Sequence, residues 1–278
     1  MKLKRLAQRS FWHLRVYQLL NRISRPVLGK EAYQESFGAL YRLALIGMNY
    51  GGGTNVNDSG ERVALEHVKK VLRGYTSPLV LFDVGANQGE YANLLLKTFG
   101  TVASVHCFEP SPDTFAMLER NVTGAVLHNY GLGDSEGMLI LNSDVEGSGL
   151  ASLYDRNLKH IGIKLSHTEQ VRITTVDDFC QSNGIDRIHL LKLDVEGHEL
   201  KVLEGASLLL AARAIDFIQF EFGGCNIDSR TYFRDFVDML APQYRVCRVV
   251  KDGLKEITSY SEMLEVFTTT NYLCELRR

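Results

Sequence analysis

The octapeptide Lys192-Leu-Asp194-Val-Glu196-Gly-His198-Glu199 gathers a lysine, three carboxylates and a histidine in one short stretch. It follows the apolar run "IHLL", so it reads as a strand end passing into a helix. The side-chain period of two along a strand puts Lys192, Asp194 and Glu196 on one side. Charges inside a parallel strand are costly unless they are paired or used. Asp194, Glu196 and His198 are therefore the candidate catalytic residues, acids and a base able to take a proton from a weak nucleophile. Asp194 and Glu196 could instead hold Mg²⁺, a hard cation that takes carboxylate oxygens. Structural roles stand beside these: Lys192 pairing with Asp194 or Glu221, and Glu196 or Glu199 favouring a helix N-terminus.

A second constellation is Asp83-Val-Gly85-Ala-Asn87-Gln-Gly89, between the apolar run from Leu79 and a helical pattern from Glu90. A strand–glycine turn–helix joint brings bare backbone close to a ligand. The dinucleotide pattern G-x-G-x-x-G is absent, because Asn87 stands in a glycine's place; Asn tolerates left-handed backbone angles. Glu109, twenty residues after Gly89, ends the next strand-like run, where a carboxylate can accept both hydroxyls of a ribose. No phosphate-binding lysine or third glycine is present, so the pair points to a nucleoside without phosphates. In "HNYGLGDSEG", Asn129, Leu132 and Asp134 stand where an adenine ring could be sandwiched; a glycine turn capped by Asp134 is the alternative.

These residues need a scaffold that brings strand ends together. From Ser77 onward, short apolar runs alternate with helical segments near 89–98, 111–121, 198–211 and 230–240. That alternation predicts a parallel sheet with helices on both faces, and ligands at the carboxyl ends of its strands. "GMLILNS" and "EQVRITTV" read as an inserted strand pair. "YRVCRVV" and "NYLCELR", with no long helix pattern between them, predict a closing antiparallel hairpin. Residues 1–75 read as a helical N-terminal extension broken by the loop Asn49 to Glu61, and residues 76–278 as the domain that carries the site.

The chain has 278 residues, 45% apolar, with a net charge of −2. That supports a sizeable core and excludes a strongly basic nucleic-acid binder. Five cysteines form no C-x-x-C pair, so they read as buried reduced thiols of a cytoplasmic protein. Lys2, Lys4, Arg5, Arg9, Arg15, Arg22, Arg25 and Lys30 precede the first acid, Glu31, with apolar residues at helical spacing. No run there is long enough to cross a membrane. A basic amphipathic helix over residues 1–28 could lie on an anionic membrane surface or a partner; packing on its own protein is the alternative.

The runs "FDVGANQGEYA", "VHCFEPSPDTFAMLERNV", "HNYGLGDSEG", "ITTVDDFC" and "IHLLKLDVEGHELKVLEGA" resemble, in order over about residues 79 to 222, the FkbM family of S-adenosyl-L-methionine-dependent methyltransferases. The resemblance implies a Rossmann-like class I methyltransferase fold with a mostly parallel seven-stranded sheet. It implies methyl transfer to a hydroxyl of a sugar, polyketide or similar small metabolite. By motif position, Asp83, Gly85, Asn87 and Gly89 would contact the methionine part, Glu109 the ribose, and Asp194 the amino group or transferring methyl. A NAD-type oxidoreductase fits the missing glycine and closing hairpin less well. A non-catalytic binding protein on the same scaffold is a further rival, against which Asp83, Glu109 and Asp194 speak. No D/N-P-P-Y/F/W motif of base-amine methylases occurs.

Overall fold

β1 (Leu79–Val84), β2 (Ala103–Phe108) and β3 (Val126–His128) form parallel neighbours in the computed structural model, which describes residues 15, 17–19, 21–51, 59–75 and 78–278. β4 (Gly131–Gly133), β5 (Gly137–Ser143) and β6 (His167–Thr175) branch off as a separate three-stranded sheet in the order β4-β6-β5. The chain then returns through β7 (Leu190–Leu193), β8 (Phe217–Phe222), β9 (Tyr244–Val250), β10 (Gly253–Glu256) and β11 (Thr270–Leu276). The main sheet has the order β10-β9-β11-β8-β7-β1-β2-β3. β7 lies parallel to β1 and β8, and β11 runs antiparallel between β8 and β9. The order therefore reverses at β1, flanked by β2 and β7, where open α/β sheets bind ligands. This is the Rossmann-like arrangement foreseen, with one strand more. β10 joins β9 through a two-residue turn at Lys251-Asp252, and its half-polar run gives little strand signal.

Both faces of the sheet are covered, which is why its strands are apolar without alternation. Phe82, Val84, Leu191, Leu193, Ile218 and Phe220 pack into one core. Leu79, Leu81, Leu190 and Phe217 pack into the other, beneath α2 (Glu61–Leu72) and α3 (Glu90–Phe99). α1 (Gln34–Gly47) belongs to a separate compact unit, Met1–Met48; the sheet and α2 belong to the unit Asn49–Arg278. α2 buries Ala64, Leu65, Val68 and Leu72, an i, i+1, i+4, i+8 stripe that gives it a core face.

α4 (Pro112–Asn121) starts with Ser111 accepting from the Thr114 N–H and Pro112 in the first turn. α5 (Val176–Asn183) starts with Thr175 accepting from the Asp178 N–H. The helix foreseen over 198–211 divides into α6 (Glu199–Glu204) and α7 (Ser207–Ala211) at Gly205. A Cβ on Gly205 would collide with the Gly133 carbonyl, so only glycine lets α6 close on β4. All five cysteines are free and buried. Among the described residues no helix is long and apolar enough to cross a membrane. Most of the basic segment 1–28, and residues 52–58 of the Asn49–Glu61 loop, lie outside the described residues.

Candidate active site

The carboxyl end of β1 enters the turn Gly85–Gly89 with φ of +80° at Gly85, +46° at Asn87 and +93° at Gly89. Gly85 and Ala86 both donate to the Phe108 carbonyl, at 2.9 and 3.0 Å, which ties the turn to the end of β2. A Cβ on Gly85 would collide with the Asp194 carbonyl, so this glycine lets β1 and β7 close on each other. Gly89 turns the other way: a Cβ there would strike Val122 and Leu118, so it seats α3 against α4.

Two adjoining clefts open at these strand ends. The first, about 750 Å³, is lined by Glu109, Pro110 and His198 together with the apolar Leu132, Leu141 and Ile173. The second, about 1120 Å³, is walled by Glu61, Tyr91, Glu221 and Thr269. Gly85, Asn87, Gly149, Asp194 and Glu196 line both and mark the junction.

Glu109 is 6% exposed and accepts from the Asn87 and Ser111 N–H groups, each at 3.0 Å. Burial pushes its carboxyl up to about 7, with those two donors opposing. Leu132 lines the first cleft. Asn129 does not; its amide donates to the Glu109 and Pro110 carbonyls, at 3.0 and 3.3 Å, and so holds the strand end. Asp134 stands outside the cleft in an ion pair with Lys201 at 2.9 Å, whose hydrogen bond keeps its carboxyl below the usual range. Asp83 is buried in the sheet behind the cleft, with one carboxyl oxygen lacking a partner among the described residues. Burial pushes it up to about 7, with Lys192 opposing.

Asp83, Lys192 and Gln219 occupy one register row across β1, β7 and β8, pointing under α2 and α3. Lys192 is 1% exposed, 2.9 Å from Asp194 and 3.9 Å from Glu61, and its ammonium lies 5.1 Å from the centre of the Tyr91 ring. Burial alone would lower its pKa; the carboxylates of Asp194, Glu61 and Glu221 outweigh that and raise it. Gln219 donates to Glu61 and accepts from the Tyr91 hydroxyl, both at 2.9 Å. Lys192 therefore points into a buried polar network, while Asp194 lines the cleft.

Glu196 sits at φ +49° in the turn after β7, held by an ion pair with Arg156, and Ser152 donates to its carbonyl at 2.7 Å. Burial and the neighbouring Asp194 push Glu196 up to about 8, with Arg156 opposing. Glu199 is fully buried and accepts from the Val195 and Gly197 N–H groups, which fastens that turn. Burial and nearby carboxylates raise Glu221 well above its ordinary value. One oxygen each from Asp194, Glu196 and Glu221 lie within 4.8 Å of one another.

Asp194 and Glu196 are thus together at the junction, and His198 is set apart in the first cleft. Glu221, Glu61, Tyr91 and Arg156 join the site without having been foreseen as functional. Glu221 had a signal, an acid closing the strand-like run "IDFIQFEFG". Glu61 had none, since nothing local marks which helix N-terminus will face β7.

A family described as the methyltransferase FkbM domain matches residues 83–247. Over 148 residues the chain is 35% identical to the hexuronic acid methyltransferase AglP of Haloferax volcanii, covering 51% of this chain and 55% of that protein. Over 155 residues it is 26% identical to the 2-O-methyltransferase NoeI of Sinorhizobium fredii, covering 51% and 63%. A crystal structure of the methyltransferase FkbM from Methylobacillus flagellatus aligns at 16% identity with a TM-score of 0.44, covering 73% of this chain and 45% of that one. The chain spans little more than half the length of the first of these relatives.

Proposed function

The chain belongs to the FkbM methyltransferase family, and on that premise we propose that it moves a methyl group from S-adenosyl-L-methionine to a hydroxyl of a sugar or related small metabolite. The observation that carries this reading is the pair of clefts meeting at Asp194 and Glu196, one nucleoside-like in its lining and the other acidic. The residues fit the donor: Glu109 for ribose hydroxyls, and Leu132, Leu141 and Ile173 for a flat base. The names of two relatives, a hexuronic acid methyltransferase and a 2-O-methyltransferase, support an oxygen on a sugar as the acceptor.

When bound, the donor supplies an electrophilic methyl on a sulfonium. The chain's own task is alignment and the handling of one proton. Asp194, held by Lys192 at the junction, would supply a carboxylate to the donor's cationic end. Glu221, in the second cleft, and Glu196, at the junction and pushed up to about 8, are the carboxyls placed to accept the acceptor hydroxyl's proton. A base of this kind contributes about 10²–10⁴-fold. A cation-assisted variant has the spacing of Asp194, Glu196 and Glu221 behind it. Direct proton transfer is preferred, because Lys192 and Arg156 already neutralise two of the three acids.

The test is transfer of labelled methyl to a panel of mono- and disaccharides by wild type and Glu221→Gln. Turnover should fall roughly 10²-fold or more in the variant, with S-adenosylhomocysteine binding retained. Equal turnover in both proteins removes Glu221 from the mechanism. Absence of donor binding in wild type removes the whole assignment.

A further inference from the structure

Residues 1–30 carry eight lysines and arginines and no acid, although the whole chain has a net charge of −2. So much like charge in one stretch repels itself and calls for an anionic partner. Among its described members, Arg22, Arg25 and Lys30 are exposed. The unit Met1–Met48 that holds this stretch also holds α1, which is apolar on its outside. The only charges of α1 are Glu35 and Arg42, and Leu45 is its one buried residue. At about 100° per residue, Leu40 and Leu43 fall on the side opposite Leu45. They are 58% and 64% exposed, and Ile46, one turn beyond Leu43, is 70% exposed. Before α1, Tyr17, Leu19 and Ile23 are each more than half exposed. A helix packed on its own chain hides such residues; one that shows them to solvent marks a surface for a partner or a membrane.

We propose that α1 and the basic residues before it dock on an anionic lipid surface, with Leu40, Leu43 and Ile46 entering the headgroup boundary and the cations held by lipid phosphates and carboxylates. Charge selects this occupant. Two copies meeting through this unit would bring two basic, acid-free stretches together, which repel. An anionic bilayer attracts each Lys and Arg near it and offers an apolar layer just beneath, so it meets both features in one plane. The element lies on the bilayer and not across it. α1 has 14 residues, a length of about 21 Å, short of the ~30 Å hydrocarbon core. Among the described residues none of 1–48 lines either cleft, so lipid docking and donor binding are separable properties.

The experiment is flotation of the full chain with vesicles of phosphatidylcholine, alone or mixed two to one with phosphatidylserine. Wild type is compared with the double variants Leu43→Glu/Ile46→Glu and Arg22→Gln/Arg25→Gln, each checked for an unchanged thermal unfolding midpoint. Wild type should float with the mixed vesicles, stay behind with phosphatidylcholine alone, and be released by high salt. The glutamate pair should weaken binding at least about tenfold, because it removes two side chains that enter the apolar layer. The glutamine pair should weaken it roughly 25-fold, about fivefold for each cation lost near an anionic surface. Wild type that floats with neither vesicle overturns the proposal, as does either double variant floating as well as wild type. A dimer that the glutamate pair converts to monomer, with no flotation in either protein, gives the surface to a second copy and equally overturns it. If the glutamate pair lowers the unfolding midpoint, Leu43→Ser decides: undiminished flotation there is the refuting result.

Discussion

Replacing Lys192 by methionine should cost about 3–5 kcal/mol of stability at pH 7.5, the usual penalty for removing one partner of a buried pair. The structure decides where that loss arises. Lys192 is 1% exposed, and at an effective dielectric of about 20 its 3.9 Å approach to Glu61 corresponds to ~4 kcal/mol of attraction. The Asp194 pair is shorter, at 2.9 Å, but its carboxylate is 40% exposed, and solvent reduces such a pair to about 0–1 kcal/mol. Without the ammonium, Glu61 at the start of α2 and Asp83 in β1 lose their buried countercharge, and their pKa values rise further. A carboxyl whose folded pKa is raised binds its proton more tightly folded than unfolded. It therefore costs nothing below the unfolded value near 4, and increasingly more as pH climbs toward the folded value. The variant's deficit should shrink to about 1 kcal/mol at pH 4.5. Urea unfolding of wild type, Lys192→Met, Glu61→Gln and the double variant at both pH values measures this. The double variant should recover part of the loss at pH 7.5. A deficit below about 1 kcal/mol at pH 7.5, or one equal at both pH values, refutes the idea of a charge-compensating lysine.

Four further outcomes follow from the same geometry. Glu109→Gln should weaken S-adenosylhomocysteine binding by roughly 10- to 150-fold, the worth of a hydrogen bond to a charged group, and cost about 1–3 kcal/mol of stability, because the amide NH2 cannot accept from both the Asn87 and Ser111 N–H groups; a change in binding under threefold in calorimetry removes Glu109 from the donor site. Because the base acts deprotonated and Glu196 lies at about 8, kcat/KM should rise with pH through that region and then level; a profile flat from pH 6 to 9 removes Glu196. Gly85→Ala forces a Cβ into the Asp194 carbonyl at a left-handed φ, a strain on the order of 1–3 kcal/mol; it should abolish donor binding, and a variant that binds normally contradicts the packing. Turnover should survive EDTA, since Lys192 and Arg156 already occupy two of the three clustered acids; loss restored by Mg²⁺ would establish the cation-assisted route instead.

The strand–turn–helix joint at Gly85, the acid at Glu109 and the charged end of the β7 run were legible because local patterns carry them. Continuous apolar runs mark strands buried on both faces, and a glycine or an acid at a run's end marks where the sheet meets a ligand. The Rossmann-like order followed from alternation, and the closing antiparallel strand from two runs with no helix pattern between them. Local pattern does not reach across the sheet. Asp134 was placed with an adenine ring by its neighbours in the chain, yet Lys201, 67 residues on, takes its carboxylate. His198 was grouped with Asp194 and Glu196 by adjacency, but the left-handed turn at Glu196 and Gly197 sends its ring into the first cleft. Glu61 and Glu221 reach the site only because α2 packs over the β7 end and β8 lies beside β7. Sequence alone determined which elements form and which of their ends can do chemistry. Tertiary structure decided which of those ends meet, because buried charges are settled by whatever partner the packing brings within a few ångströms.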